Sequence, residues 1–192
     1  MVSRGMQRRQ DIADFLAEQP RIMFLLRLVA SLGIEDCWVG AGLIRNAVWD
    51  RLHDIPAALL PESDVDVIYC DHNDARLERD LSIERLLVDQ FPQVQWSVHN
   101  QARMHERNGD APYRNAMEAI GCWPETATAI AARRSGDRVE IIAPHGIDDL
   151  LNLVVRPTPA FLHKLPIYQA RLASKNWAKR WPKLRFVDYR GL

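Results

Sequence analysis

Val39-Gly40-Ala41-Gly42-Leu43-Ile44-Arg45-Asn46 is followed, about twenty residues on, by Asp64-Val65-Asp66-Val67. The second stretch reads as a strand over 65–69, rich in β-branched and aromatic residues. Residues i and i+2 of a strand share a face, so Asp64 and Asp66 project side by side and Val65 and Val67 go to the opposite, buried face. Adjacent carboxylates repel, and each raises the other's pKa unless a cation lies between them. A hard divalent cation suits such an oxygen pair: magnesium, with manganese as the alternative, keeping waters and taking further ligands from substrate phosphates. The first stretch supplies a place for those phosphates. Gly40, Ala41 and Gly42 join a short strand, 37–39, to a helix over 43–52. A glycine without a Cβ lets backbone approach a ligand. The helix start offers unpaired N–H groups and a positive dipole end, and Arg45, one turn in, can clamp phosphate oxygens. Each feature alone is commonplace. A Gly-x-Gly is often a plain connection, an Asp-x-Asp a solvated strand edge, an arginine a surface ion pair. Their joint order is what points to a nucleotide site.

Outward from this centre, the pattern alternates helix and strand. A helix is expected over 10–17. A second starts at Pro20, suited to a first helical turn, and stops near Gly33. A loop over 53–63 carries Pro56 and Pro61. A helix capped by Asn73 or Asp74 runs to about 90, ahead of Pro92. Residues 95–100 read as a strand, and Asn108-Gly109-Asp110 as a turn. Asn115 and Glu118 resemble a capping box for a short helix to 122. Residues 133–143 form a hairpin about the Ser135-Gly136-Asp137 turn. Residues 147–154 read as helix, Pro157 and Pro159 as a stiff linker, 166–180 as a tail helix, and 184–187 as extended. The fold class is α/β (α+β), a mixed sheet with flanking helices and a helical C-terminal tail. It forms one domain over 1–192: a leading helical segment 1–33, a core 34–155 and a tail 156–192.

The run 41–46, Ala-Gly-Leu-Ile-Arg-Asn, with Asp64 and Asp66, resembles the Gly-Gly-x-Val-Arg-Asp and Asp-x-Asp signature of CCA-adding enzymes and poly(A) polymerases. These belong to the polymerase-β-like nucleotidyltransferase superfamily. Here Ala41 stands for the first Gly and Asn46 for the last Asp. Residues 143–150, Ala-Pro-His-Gly-Ile-Asp-Asp-Leu, resemble the Gly-Leu-x-Asp-Leu segment of the same enzymes. More closely, 38–157 is similar to a family of small bacterial nucleotidyltransferases, whose Trp-Ser-Val-x-Asn-Gln-Ala-Arg-Met-His stretch stands at 96–105 and whose Trp-Pro-Glu-Thr-Ala-Thr stretch stands at 123–128. The resemblance implies a nucleotidyltransferase-like fold. It also implies a third carboxylate on a later strand as metal ligand or general base. The strand 95–100 holds no acid, and Asn100 is its best-placed polar residue, on the face with Trp96 and Val98. Glu125 and Glu140 are substitutes from neighbouring elements.

His99, Arg103 and His105 read as phosphate or acceptor contacts, with His99 or His105 as a candidate base, or else as plain polar surface or a histidine tied to a carbonyl. Trp96 and Trp123 suit base stacking or core packing. Asp148 and Asp149 suit a helix start. Lys175, Lys179, Arg180 and Lys183 read as a solvated helix side, at most a weak acceptor surface. Hydrophobic residues make up 47% of the 192, so a substantial core is available. Formal net charge is zero, which excludes a global field drawing the chain to nucleic acid or acidic lipid. The expected partners are a nucleoside triphosphate and an acceptor that is a small molecule or a protein rather than RNA, with no membrane. Cys37, Cys70 and Cys122 fit no zinc spacing and suit a reducing cytoplasm. The run 22–29 is too short to span a bilayer, and no secretory signal is visible. The expected activity is transfer of a nucleoside monophosphate to a hydroxyl. The alternative is a nucleotide-binding or regulatory protein of the same fold without turnover.

Overall fold

In the computed structural model, residues 6–57 and 64–187 are described. Pro61, in the loop expected over 53–63, lies outside the described residues. Helix α1, Arg9–Ala17, opens on a capping box in which Asp11 accepts from the Arg8 amide at 2.9 Å. It buries Ile12, Ala13 and Leu16 along one stripe. Helix α2, Pro20–Ala30, begins with its proline and buries Ile22, Met23, Leu25, Leu26 and Val29. Gly33 (φ +66) turns the chain into strand β1, Cys37–Val39, all three residues of which are buried. Helix α3, Ala41–Leu52, follows at once, and strand β2, Val65–Tyr69, returns beside β1.

Helix α4, Leu77–Gln90, starts later than Asn73 or Asp74 would have it. Asp74 instead holds the Arg76 guanidinium at 2.8 Å, so its carboxylate is spent outside the helix. Strand β3 is Trp96–Asn100, and helix α5, Gln101–Asn108, comes directly after it. Sequence reasoning missed α5. Helix α6, Ala116–Gly121, is capped by Asn115, which accepts from the Glu118 amide at 2.9 Å. Strands β4, Ala131–Ser135, and β5, Arg138–Ile142, form the expected hairpin. Helix α7 is only Asp148–Leu151. The chain then passes into strand β6, Val154–Val155, so the helix expected over 147–154 is cut short. The tail helix is split into α8, Leu165–Lys175, and α9, Trp177–Arg180, by Asn176 in the left-handed region (φ 51). Strand β7, Arg185–Phe186, pairs in parallel with β6.

The main sheet has five strands in the order β3-β2-β1-β4-β5, with β2 and β3 parallel and the other neighbours antiparallel. One face carries Cys37, Val39, Val65, Val67, Trp96, Val98 and Ala132 into the principal core with α1, α2, α3 and α4. On the other face Trp38, Ile68 and Ala131 pack with Ala116 and Ile120 of α6 in a smaller cluster. Asp36 fastens this second layer, accepting from Trp38 Nε1 and from the Ala116 amide, each at 2.7 Å. Among the described residues no helix is long and apolar enough to cross a membrane.

Candidate functional site

Strand alternation puts Asp66 on the α6 side of the sheet with Ile68, opposite Val65 and Val67. Asp64 immediately precedes the strand on the same side. The two carboxylates feel each other: burial first, then the Asp64 charge, pushes the Asp66 carboxyl above the ordinary range. His99, Lys175 and Arg45 pull it back, in that order of strength.

Gly40 sits against the acids. Its amide donates to the Asp66 carbonyl at 2.7 Å, and a Cβ there would stand 2.9 Å from Trp123 Cη2 and 3.3 Å from Asp66 Cβ. The missing side chain thus makes room for Trp123 and Asp66. Gly40 is the residue before α3, while Ala41 and Gly42 already lie in its first turn. The unpaired N–H groups of that turn therefore belong to Ala41, Gly42 and Leu43.

Arg45 is 6% exposed, with its guanidinium 4.6 Å from the Trp177 ring centroid and 5.1 Å from that of Trp49. It donates from Nε and Nη2 to Asn46 Oδ1, at 3.1 and 2.7 Å. Among the described residues it has no carboxylate within ion-pair distance. Burial pushes its pKa down to about 10; Glu125 opposes this, Arg171 adds to it, and Asp66 opposes it. Asn46, where the resembling enzymes carry an acid, leaves this cation with a neutral partner.

On β3, Ser97 stands directly beside Asp66 in the strand register, and His99 lies two residues on along the same face. Ser97 Oγ and His99 Nε2 are 3.1 Å apart. Asn100 is not on this face. It is fully buried, paired in register with Tyr69, and its carboxamide caps α5 by accepting from the Ala102 amide at 3.1 Å. Arg103 is committed beside it, donating to Asp80 Oδ2 at 2.5 Å and the Ala75 carbonyl at 3.0 Å. Asp80 is 1% exposed and also accepts from Tyr69 Oη and the Asn100 amide. Asn100 and Arg103 therefore belong to a buried polar network under α4 and are not brought to the aspartate pair. His105 packs edge-on to Tyr113, at 6.1 Å between centroids.

Neither candidate replacement acid is free. Glu125, fully buried, accepts from Arg171 Nε and Thr128 Oγ1, each at 2.7 Å, and Glu140 accepts from Arg133 Nε at 2.7 Å. Among the described residues, no three His, Cys, Asp or Glu side chains converge as a metal site. Trp96 is core, whereas Trp123 is half-buried at the rim of the aspartates. A cavity of about 1060 Å³ between α1, α2 and α3, lined by Phe15, Phe24 and Asn46 among others, does not reach Asp64 or Asp66. One residue beside the acids went unread in the sequence: Ser97 was discoverable only from the β2–β3 register.

A family model described as nucleotidyltransferase matches residues 27–186. Among solved structures, one described as a CCA-adding enzyme head domain, determined by NMR, is 36% identical, with a TM-score of 0.83 over 95% of this chain and 97% of that one. The Thermotoga maritima CCA-adding enzyme complexed with tRNA is 15% identical, with a TM-score of 0.59 over 96% of this chain and 44% of that one. A CCA-adding enzyme in complex with ATP is 16% identical, with a TM-score of 0.59 over 95% and 44%. The last two likenesses are of fold alone, and the chain spans less than half the length of either enzyme. A search of curated proteins gives no match.

Proposed function

Because the chain belongs to the nucleotidyltransferase family, matched over residues 27–186, we propose that it moves a nucleoside monophosphate from a nucleoside triphosphate to an acceptor hydroxyl, releasing pyrophosphate. The observation that carries this reading is the half-buried Asp66 beside Asp64, its backbone carbonyl bonded to the Gly40 amide at the start of α3, with Ser97 and His99 on the same face of the sheet. Magnesium or manganese fits the pair. A carboxyl pushed up by burial and by a neighbouring acid is relieved by a divalent cation, and two carboxylates leave the rest of the shell to phosphate oxygens and water. Asp64 and Asp66 would hold the ion, which when bound orients the α-phosphate and offsets charge in an in-line displacement. The amides of the first turn of α3 face the phosphates, with Arg45 as a fixed positive charge behind them. His99 lies on the acid face, where it can donate to a phosphate or to the acceptor. The acceptor is a small molecule or a protein hydroxyl, since a chain of zero net charge offers RNA little general attraction. The cytoplasm is the compartment in which free Cys37, Cys70 and Cys122 stay reduced.

The test is linkage together with turnover. At a hundredfold excess over Kd, a triphosphate with magnesium or manganese stabilises the native state by about 2.7 kcal/mol. Asp66→Asn should abolish most of that gain while leaving the ligand-free fold intact. An equal melting shift in wild type and variant would remove the metal assignment. One observation favours a second reading, binding without turnover: Ser97 occupies the strand position beside Asp66, and Glu125 and Glu140 are held by arginines. A single-turnover assay with labelled triphosphate separates the two readings, by pyrophosphate release or by recovery of intact bound nucleotide.

A further inference from the structure

We propose that Ser97 is itself an acceptor: its hydroxyl takes the nucleoside monophosphate, and the chain becomes nucleotidylated on its own strand β3. This rests on the nucleotide reading above and names one acceptor hydroxyl for it. Ser97 pairs with Asp66 in the parallel β2–β3 register, between the pairs Val65 with Trp96 and Val67 with Val98. Neighbouring strands lie about 4.8 Å apart, and side chains alternate between the two faces of a sheet. Val65, Val67, Trp96 and Val98 enter the principal core, so Asp66, Ser97 and His99 project together from the other face. All three are half-buried, and the hydroxyl therefore stands beside the carboxylate where solvent still reaches.

A serine hydroxyl is a weak nucleophile until a base within about 2.6–3.2 Å takes its proton. Ser97 Oγ lies 3.1 Å from His99 Nε2, and among the described residues this is its one hydrogen-bond partner. With the ring proton on Nδ1, Nε2 accepts from the hydroxyl. The hydroxyls of segment 123–128, whose Trp123 rims the aspartates, are spent elsewhere: Thr126 Oγ1 donates to Asp149 Oδ2 at 2.6 Å, and Thr128 Oγ1 to Glu125 Oε2 at 2.7 Å. In the transfer, Ser97 Oγ attacks the α-phosphorus of the triphosphate. The Oγ–P bond forms as the bond from that phosphorus to the α,β-bridging oxygen breaks, and pyrophosphate leaves with the electron pair. The hydroxyl proton passes to His99 Nε2 and from there to water. The product is a serine phosphodiester.

The full chain tests this when incubated with manganese and each common ribonucleoside triphosphate, radiolabelled at the α- or at the γ-phosphate, then denatured in detergent with and without acid. Label from the α-phosphate should stay on the protein through acid, and label from the γ-phosphate should leave with pyrophosphate. Tryptic peptide 86–103 should gain the mass of one nucleoside monophosphate, and Ser97 is its only Ser, Thr or Tyr. A chain isolated already modified shows that mass before incubation and supports the assignment equally. Ser97→Ala should lose the label, and His99→Gln should slow labelling about a hundredfold, with ligand-free melting temperatures verifying both folds. The peptide mapping is made on the wild type and stands even where a variant unfolds. Acid-labile label, the mark of a phosphoramidate on His99, overturns the assignment, and so does label on any other residue. A melting shift with manganese and triphosphate but no protein-bound label overturns self-transfer alone. Absence of that shift in an unmodified wild type overturns self-transfer and the nucleotide reading together.

Discussion

The carboxamide of Asn100 donates to the carbonyls of Asp71 and Asp74 and accepts from the amides of Ala102 and Asp71, at 2.8 to 3.1 Å. Every donor and acceptor it owns is used. An aspartate cannot donate, so Asn100→Asp would set a buried charge against two carbonyl oxygens, with Asp80 close by. We expect a loss of about 2–4 kcal/mol from unmade buried hydrogen bonds and desolvation. Because the side chain lies on the other face from Asp66, magnesium should not recover the loss. Urea unfolding with and without magnesium measures it, and recovery by the ion would place Asn100 at the metal after all. The sequence makes the alternation within each strand plain: Asp64 with Asp66, and Asn100 with Trp96 and Val98. It does not state how β2 and β3 are registered, and that register sets Ser97, not Asn100, beside Asp66. Arg103 was misplaced for the same reason, since its partner Asp80 lies 23 residues away on α4.

Among the elements, those with local signals were legible, and those set by distant partners were not. Pro20 marks the start of α2 and Asn115 that of α6, whereas α5 went unread because its cap, Asn100, looked like a site residue. The 166–180 helix breaks at Asn176, where packing of Trp177 and Trp181 on Trp49 outweighs helix propensity. Two expectations belong to this scale. At the β1–α3 junction, Gly40→Ala drives a methyl into Trp123 and against Asp66. Overpacking of this kind costs about 1–3 kcal/mol, and triphosphate affinity should fall with it; unaltered affinity would detach the junction from the site. At the start of α1, the Arg8 side chain and the Gln7 and Arg8 amides hold the Asp11 carboxyl down at about 2. The folded value lies below the unfolded one, so this contribution is complete above about pH 3.9 and is lost as pH falls through about 2. Asp11→Asn should flatten that part of the acid-unfolding curve followed by circular dichroism. Parallel curves for wild type and variant would refute the cap's role.

Across the whole molecule, the tail crosses back over α3 and ties the first half of the chain to the last. Asp50 accepts from Arg180 at 3.0 Å and from Trp181 Nε1 at 2.8 Å, and Glu125 accepts from Arg171. This wrapping also uses up positive charge. Of the basic residues that the sequence groups near its end, Arg180 is paired with Asp50, and Lys183 donates to the Leu52 carbonyl at 3.0 Å. Lys175, at the end of α8, and Lys179, on α9, are exposed. On the proposed reading, a chain of zero net charge is expected to offer RNA only a few phosphate contacts. Each contact contributes about 0.7–0.9 to the slope of log K against log salt, and non-specific binding at physiological salt lies at about 10⁻⁴ to 10⁻⁶ M. For this chain alone, tRNA should bind at the weak end of that range, with a salt slope no steeper than about 3 in magnitude. Fluorescence anisotropy with labelled tRNA over a series of salt concentrations reads both quantities. Nanomolar affinity with a steep salt dependence would show a basic surface assembled for RNA and would move the acceptor from a small molecule or protein to a nucleic acid.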